Sequence, residues 1–320
     1  MRQFDLFGKP KIKNTIVPSM PYMGDKRKLA TKLLNAMYNT IGDFENFYDL
    51  FGGGGSMSVA ALLAGHTVVY NELNTGIANL MRYIQAGGKL PEKWITREEF
   101  MQFKNGDDWY SGFIKCIWSF GNNQSGYLFR KDIEENKRLS HNVIIDKCKK
   151  SLIKINKKLK INIPQTIFNI KNKTDRRLFL RQYIVEINKN YRGEEQLERL
   201  QQLENLQQLH RLERLENLQQ LHRLERLEIF NKSYNEIPIK NNSVIYCDIP
   251  YKNTGEYQIK NFNYELFYAW ALKNKNPVFI SEYAMPNEFL KIASFKHRSK
   301  LSATANNEVV ENLFWNNKYI

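Results

Sequence analysis

An α/β fold, with a parallel sheet at its centre and a mainly helical block inserted into it, is what the sequence predicts, and three observations carry the prediction. Apolar and aromatic runs of strand length alternate with helical segments in residues 15–84 and again in 236–320. Four consecutive glycines, Gly52 to Gly55, join one such run to a helix of small residues, as in a βαβ unit. Between the two α/β stretches, residues 85–235 change character, and Lys, Arg, Asn and Glu crowd in.

The elements follow in chain order. Residues 45–51, ENFYDLF, form a strand that stops at the glycines, and 56–65, SMSVAALLAG, form a helix stopped by Gly65. Residues 66–73, HTVVYNEL, give the next strand. In the insertion, residues 146–160 and 172–183 are basic and carry helical periodicity. Strand character returns at 242–251, NSVIYCDIPY, followed by an amphipathic helix at 264–274, a buried strand at 277–283, and a last, edge-like strand at 312–317, NLFWNN.

Leucine recurs every third residue from Leu197 to Leu227, and residues 203–214 are repeated identically at 215–226. A step of three falls about 60° short of a helical turn, so these leucines spiral and form no heptad seam. The intervening Glu, Gln and Arg favour helix. A tolerated spacer produced by duplication is the simplest account of this segment.

Composition bounds the rest. Lys and Arg number 48 against 33 acidic residues, a net charge of +15, which points to a polyanionic partner. The three cysteines, Cys116, Cys148 and Cys247, match no zinc or redox spacing and suit a reducing compartment. No apolar run is long enough to span a membrane, and the first residues lack the apolar core of a secretory signal, so a cytoplasmic location is expected.

Three constellations carry chemistry. The first is Tyr48-Asp49-Leu50-Phe51-Gly52-Gly53-Gly54-Gly55-Ser56, a strand-to-helix turn where backbone can approach a ligand. The second is Glu72, at the end of the next strand, at the spacing of an acid that accepts from ribose hydroxyls. The third is Asp248-Ile249-Pro250-Tyr251, closing an apolar strand. An exocyclic base amine is a weak nucleophile because its lone pair is delocalised into the ring. The Asp248 carboxylate and the Ile249 carbonyl can accept its two N–H groups. Pro250 stiffens the turn, and Tyr251 offers a face for a flipped base. These residues alone leave adenine N6, cytosine N4 and RNA amines open as targets, as well as an inactive nucleic-acid-binding relative. The absence of a Pro-Cys dipeptide speaks against cytosine-C5 chemistry.

In this order, the chain resembles the Dam-type (class alpha) DNA adenine-N6 methyltransferases over most of its length. Pro21-Tyr22-Met23-Gly24-Asp25-Lys26 is similar to the family's N-terminal motif, Ser119 to Tyr127 to its target-recognition segment, and Val278 to Tyr283 to a strand beside its catalytic pocket. The resemblance implies a Rossmann-like S-adenosylmethionine-dependent methyltransferase core of residues 1–84 and 236–320. A helical, basic DNA target-recognition domain, residues 85–235, would be inserted into it and would include the Leu-rich repeat 197–228. It implies that Asp248, Ile249, Pro250 and Tyr251 are catalytic. Tyr22, Lys26, Asp49, Phe51, Gly52, Gly53, Gly54, Gly55, Ser56, Glu72 and Asp248 would bind S-adenosylmethionine. Asn122, Asn123, Gln124, Tyr127 and Arg130 are the candidates for DNA contact, Asn and Gln being suited to adenine edges. The implied partner is double-stranded DNA, with no metal and no membrane. The implied setting is a monomeric bacterial or phage enzyme serving restriction-modification, regulation or phage protection. One departure stands out: Ile249 replaces the family's proline, which predicts a less preorganised turn.

Overall fold

Seven strands form the main sheet of the protein, whose computed structural model describes residues 3–4, 10–190, 206–251, 262–298 and 308–319. A short antiparallel pair, β1 (Gln3–Phe4) and β2 (Pro10–Lys11), precedes it. The sheet is built from β3 (Asn46–Asp49), β4 (Thr67–Asn71), β5 (Leu227–Phe230), β6 (Ser243–Cys247), β7 (Val278–Glu282), β8 (Leu290–Arg298) and β9 (Glu308–Trp315). Their order across it is β5-β4-β3-β6-β7-β9-β8. The strands from β5 to β7 are parallel, while β9 runs antiparallel to both β7 and β8. Helices α1 (Ala30–Ile41), α2 (Ser56–Ala64) and α3 (Thr75–Gln85) complete the first βαβ units, so the Rossmann-like α/β architecture expected from the sequence is present.

The topology locates a crevice. β3 pairs with β4 on one side and β6 on the other, so chain direction across the sheet reverses between β3 and β6. Ligands of open α/β sheets bind outside the carboxyl ends of the strands at such a switch point. Register puts Asp49, the last residue of β3, opposite Tyr70 and Tyr246. The loops after β3, β4 and β6 therefore open on the same side. Beneath them lies an apolar layer of Tyr48, Leu50, Ile245, Cys247, Ile249, Phe267, Val278 and Ile280.

Two compact units divide the chain. The first comprises residues 1–88, 107–112 and 217–320; the second comprises 89–106 and 113–216. The second has its own core, with Leu139, Val143, Leu152, Ile155, Leu180 and Ile184 packed among its helices. The basic segments expected to be helical are helices, Lys149–Leu159 and Lys173–Asn190. No helix among the described residues is long and apolar enough to cross a membrane.

Three differences from the sequence expectation have physical causes. NLFWNN belongs to β9, an inner strand; β8, whose apolar and polar residues do not alternate cleanly, forms the edge and covers it. Residues 227–230, within the stretch assigned to the insertion, form β5 and extend the parallel sheet beside β4. The repeat is not a tolerated spacer over its described residues. Leu206, Leu209, Leu212, Leu215 and Leu218 are all buried; helix Gln207–Gln219 carries the last four, and Leu206 directly precedes it. Leucines that spiral can all be covered only when a helix is packed on most of its circumference. The repeat upstream of residue 206 lies outside the described residues.

Candidate active site

The glycine loop is shaped by its neighbours. Gly55 ends it in the left-handed region, with φ of 78°, and its amide donates to the Gly52 carbonyl before α2 begins. A Cβ on Gly52 would lie 2.3 Å from the Tyr70 ring. One on Gly54 would lie 2.6 Å from the Met20 carbonyl, so the loop tolerates no side chain at either place. The Met20 amide donates to Gly54 O across the same contact, which brings the N-terminal segment against the loop.

Glu72 secures the loop from the far side. Its Oε2 accepts from the Gly53 amide at 2.8 Å, and its Oε1 accepts from the Asn74 amide at 2.7 Å. Asn71 ties three strand ends together. Its side-chain amide donates to the Leu50 and Lys232 carbonyls, and its carbonyl accepts from the Lys232 amide. Asp49 accepts from both the backbone amide and the hydroxyl of Ser58 at the start of α2. Burial outweighs these bonds and pushes its carboxyl up to about 7. Ser56 donates its hydroxyl to Asp25.

A cavity of about 300 Å³ lies over these groups. Tyr22, Lys26, Asp49, Phe51, Gly52 to Gly54, Ser56, Glu72, Asp248 and Pro250 all line it. Other lining residues were not singled out from the sequence: Asn71, the Lys232-to-Asn235 loop after β5, Tyr246, and Phe262, Asn263 and Leu266 around the start of helix Tyr264–Lys273. Phe51 stacks on Tyr234 at 5.6 Å and meets Phe262 edge-on at 5.8 Å, which makes an aromatic wall. Placing β5 inside the insertion hid the Lys232-to-Asn235 loop. The switch from Leu-every-third spacing to Leu-Glu-Ile-Phe was the available signal.

The Asp248-to-Tyr251 turn stands at the mouth of β6 and adjoins a lysine. Lys26 Nζ is 3.1 Å from Asp248 Oδ1, 3.3 Å from Glu311 Oε1 on β9, and donates to the Tyr251 hydroxyl at 2.7 Å. Burial lifts the Asp248 carboxyl to about 6; the Lys26 ammonium pulls it down and Glu311 pushes it up. The Tyr264 hydroxyl donates to the Pro250 carbonyl and braces the turn. Tyr251 meets Tyr283 edge-on at 4.7 Å. Ile249 is buried in the apolar layer with Cys247 and Phe267, so its side chain does packing work that a proline ring would fill differently.

A family model described as D12 class N6 adenine-specific DNA methyltransferase matches residues 22–275. The chain belongs to this family. This D12 class methyltransferase is thus an enzyme that takes a methyl donor and methylates N6 of adenine in DNA. No curated protein matches the chain.

In the methyltransferase's second unit, the segment similar to the target-recognition motif is a tight loop. Ser119 bridges Tyr127, and the Phe120 amide donates to the Gly126 carbonyl. Gly121, Asn122 and Gln124 all have positive φ, and Asn123 Oδ1 accepts from the Ser125 and Gly126 amides. Tyr127 is buried, its hydroxyl donating to the Ile95 carbonyl and its ring meeting Phe100 and Trp118. Arg130 is exposed and paired with Asp132 at 3.0 Å. Phe120, not singled out before, is 63% exposed on this loop.

Proposed function

We propose that the donor is S-adenosylmethionine, held in the cavity at the sheet switch point, and that Asp248 to Tyr251 are the catalytic turn. The observation that carries this is the shared cavity: the glycine loop, Glu72, Asp248 and Pro250 line one space of about 300 Å³. The lining is mixed in charge, with the carboxyl groups of Asp49, Glu72 and Asp248 and the ammonium groups of Lys26 and Lys232, which suits a donor that carries a sulfonium, an amine and a carboxylate. S-adenosylmethionine supplies an electrophilic methyl group on a sulfonium. Glu72, braced by two backbone amides, retains lone pairs for ribose hydroxyls. The Phe51 and Tyr234 wall suits a flat base.

On the substrate side, Tyr251 stacks on the flipped adenine, and Asp248 with the Ile249 carbonyl accepts the two N6 protons. This restores lone-pair density on N6 and aims it. Positioning and electrostatics supply most of the acceleration. In this reading the second unit is the target-recognition module. Asn122, Asn123 and Arg130 meet the DNA, while Gln124, expected to join them, is buried and with buried Tyr127 holds their loop in shape.

The test uses full-length protein, methyl-labelled S-adenosylmethionine and duplex DNA, with digestion to nucleosides. Label in N6-methyladenine is expected. Asp248→Ala should lower the turnover rate by at least about 1,000-fold with DNA affinity unchanged, and Glu72→Ala should weaken donor binding. An active Asp248→Ala variant would remove the catalytic assignment; unchanged donor affinity in Glu72→Ala would remove the ribose role.

A further inference from the structure

Glu311 is a carboxylate in the middle of a sheet. It sits on β9, between β7 and β8, and is only 2% exposed. Burying a carboxylate is costly unless a cation compensates it. The compensating cation is Lys26, 3.3 Å from Glu311 Oε1. That oxygen accepts no hydrogen bond among the described residues, so the contact is one of charge. The same ammonium lies 3.1 Å from Asp248 and donates to Tyr251.

The charge balance of this group has a consequence. Among the described residues one ammonium, Lys26, faces the two carboxylates Asp248 and Glu311, so these three groups together carry a net negative charge. An isolated Lys26–Asp248 pair would be neutral. Its ammonium would settle on the carboxylate and occupy the lone pairs that must receive the amine.

We propose that Glu311 is a positioning residue for methyl transfer: it shares the Lys26 ammonium with Asp248, so that the ammonium is not held by Asp248 alone and that carboxylate keeps acceptor capacity for adenine N6. The proposal rests on the reading of Asp248 as the N6 acceptor. Its electrostatic direction agrees, since the Glu311 charge raises the Asp248 carboxyl while Lys26 lowers it. Among the described residues, the other titratable groups close enough to interact with Asp248 are Asp49 from β3, Tyr246 and Cys247 from β6, Tyr251 from the turn, and Tyr283 beyond β7. Of these, only Asp49 is acidic in the relevant range, and it stays in place when Glu311 is changed.

The experiment measures turnover from pH 5 to 9 for the full-length parent, Glu311→Gln, Glu311→Asp and Asp248→Asn. S-adenosylmethionine affinity and thermal unfolding are followed in parallel. Glu311→Gln should lower turnover at pH 8 about tenfold, equivalent to one decade of lost transition-state stabilisation. It should also move the acid limb of the profile down by about one pH unit, as loss of a nearby negative charge requires. Donor affinity should change less than about twofold, because the lost interaction is with the acceptor. Glu311→Asp withdraws the charge by one methylene, so its limb should move the same way by less. That variant decides the question alone if Glu311→Gln does not fold. A folded variant whose acid limb stays at the parent position overturns the proposal, whatever happens to its rate. Asp248→Asn should abolish the limb. A limb that persists there defeats the assignment of Asp248 and not the role of Glu311 as such.

Discussion

In the proposed mechanism Asp248 concentrates the chemistry because two demands conflict in it. It must be charged to accept from N6, yet burial favours its neutral form and lifts the carboxyl to about 6. The ionised fraction therefore falls as pH drops through that value, and kcat/KM should decline on the acid side with a midpoint near 6. A flat profile from pH 5 to 8 would falsify this role. Asp49 shows the same conflict, and among the described residues no cation pairs with it. Its folded carboxyl sits at about 7, against about 3.9 in an unfolded chain. The native state thus binds more protons than the unfolded state between those values, and stability falls as pH rises through the window. Asp49→Asn retains an acceptor for Ser58 and removes the penalty. Its Tm should rise by a few degrees over the parent at pH 8 and by less at pH 5, measured by calorimetry. Ile249 supplies a buried side chain beside the carbonyl proposed to accept from N6. It is buried with Cys247 and Phe267, so Ile249→Ala should cost about 3 kcal/mol in a denaturant titration.

Strands with local signatures were legible in the sequence, and those defined by partners were not. β3, β4, β6 and β7 are short apolar runs bounded by turn residues, and each was read at its place. The catalytic-turn and donor-loop candidates were legible for the same reason: Asp-x-Pro-Tyr and four glycines are local signals. Glu311 was not, because a carboxylate in a C-terminal strand gains meaning only through Lys26, which is distant in sequence. The repeat states the limit most directly. His-Arg-Leu-Glu-Arg is helical at residues 210–214, yet the identical 222–226 forms a turn and a single 3-10 turn before β5. Local propensity is the same in both copies, so tertiary surroundings decide the outcome. The paired arginines nonetheless do similar work. Arg211 donates to the Ile117 and Ser119 carbonyls, and Arg223 donates to the Leu62 and Leu63 carbonyls at the end of α2. Both donate to carbonyls in or next to the last turn of a helix, Trp109–Trp118 for Arg211 and α2 for Arg223. Arg211 is the more buried, so Arg211→Met should cost about 2–3 kcal/mol and Arg223→Met about 1. Equal losses in chemical denaturation would count against this ranking.

The whole molecule carries a charge of +15, and its DNA substrate carries one negative charge for about every 1.7 Å of duplex axis. Part of that excess is gathered on one face of the second unit. Helix Lys149–Leu159 buries Leu152, Ile155 and Leu159 and leaves Lys149, Lys150, Lys154, Lys157 and Lys158 exposed. Lysines spread over about two turns of one helix suit a sugar-phosphate backbone, which positions a protein without reading sequence. Each phosphate neutralised releases condensed counterions and adds about −0.9 to the slope of log affinity against log salt. Replacing all five lysines with glutamine should therefore flatten that slope by about 2 to 4, read from DNA binding between 50 and 200 mM salt. The helix should survive, since its buried face is untouched and glutamine is a good helix former. Turnover at saturating DNA should remain at the parent level, because none of the five lysines lines the cavity. A parent-like salt slope in the folded variant would place the phosphate contacts on other lysines and arginines. A fall in saturated turnover would mean that this helix does more than hold the duplex.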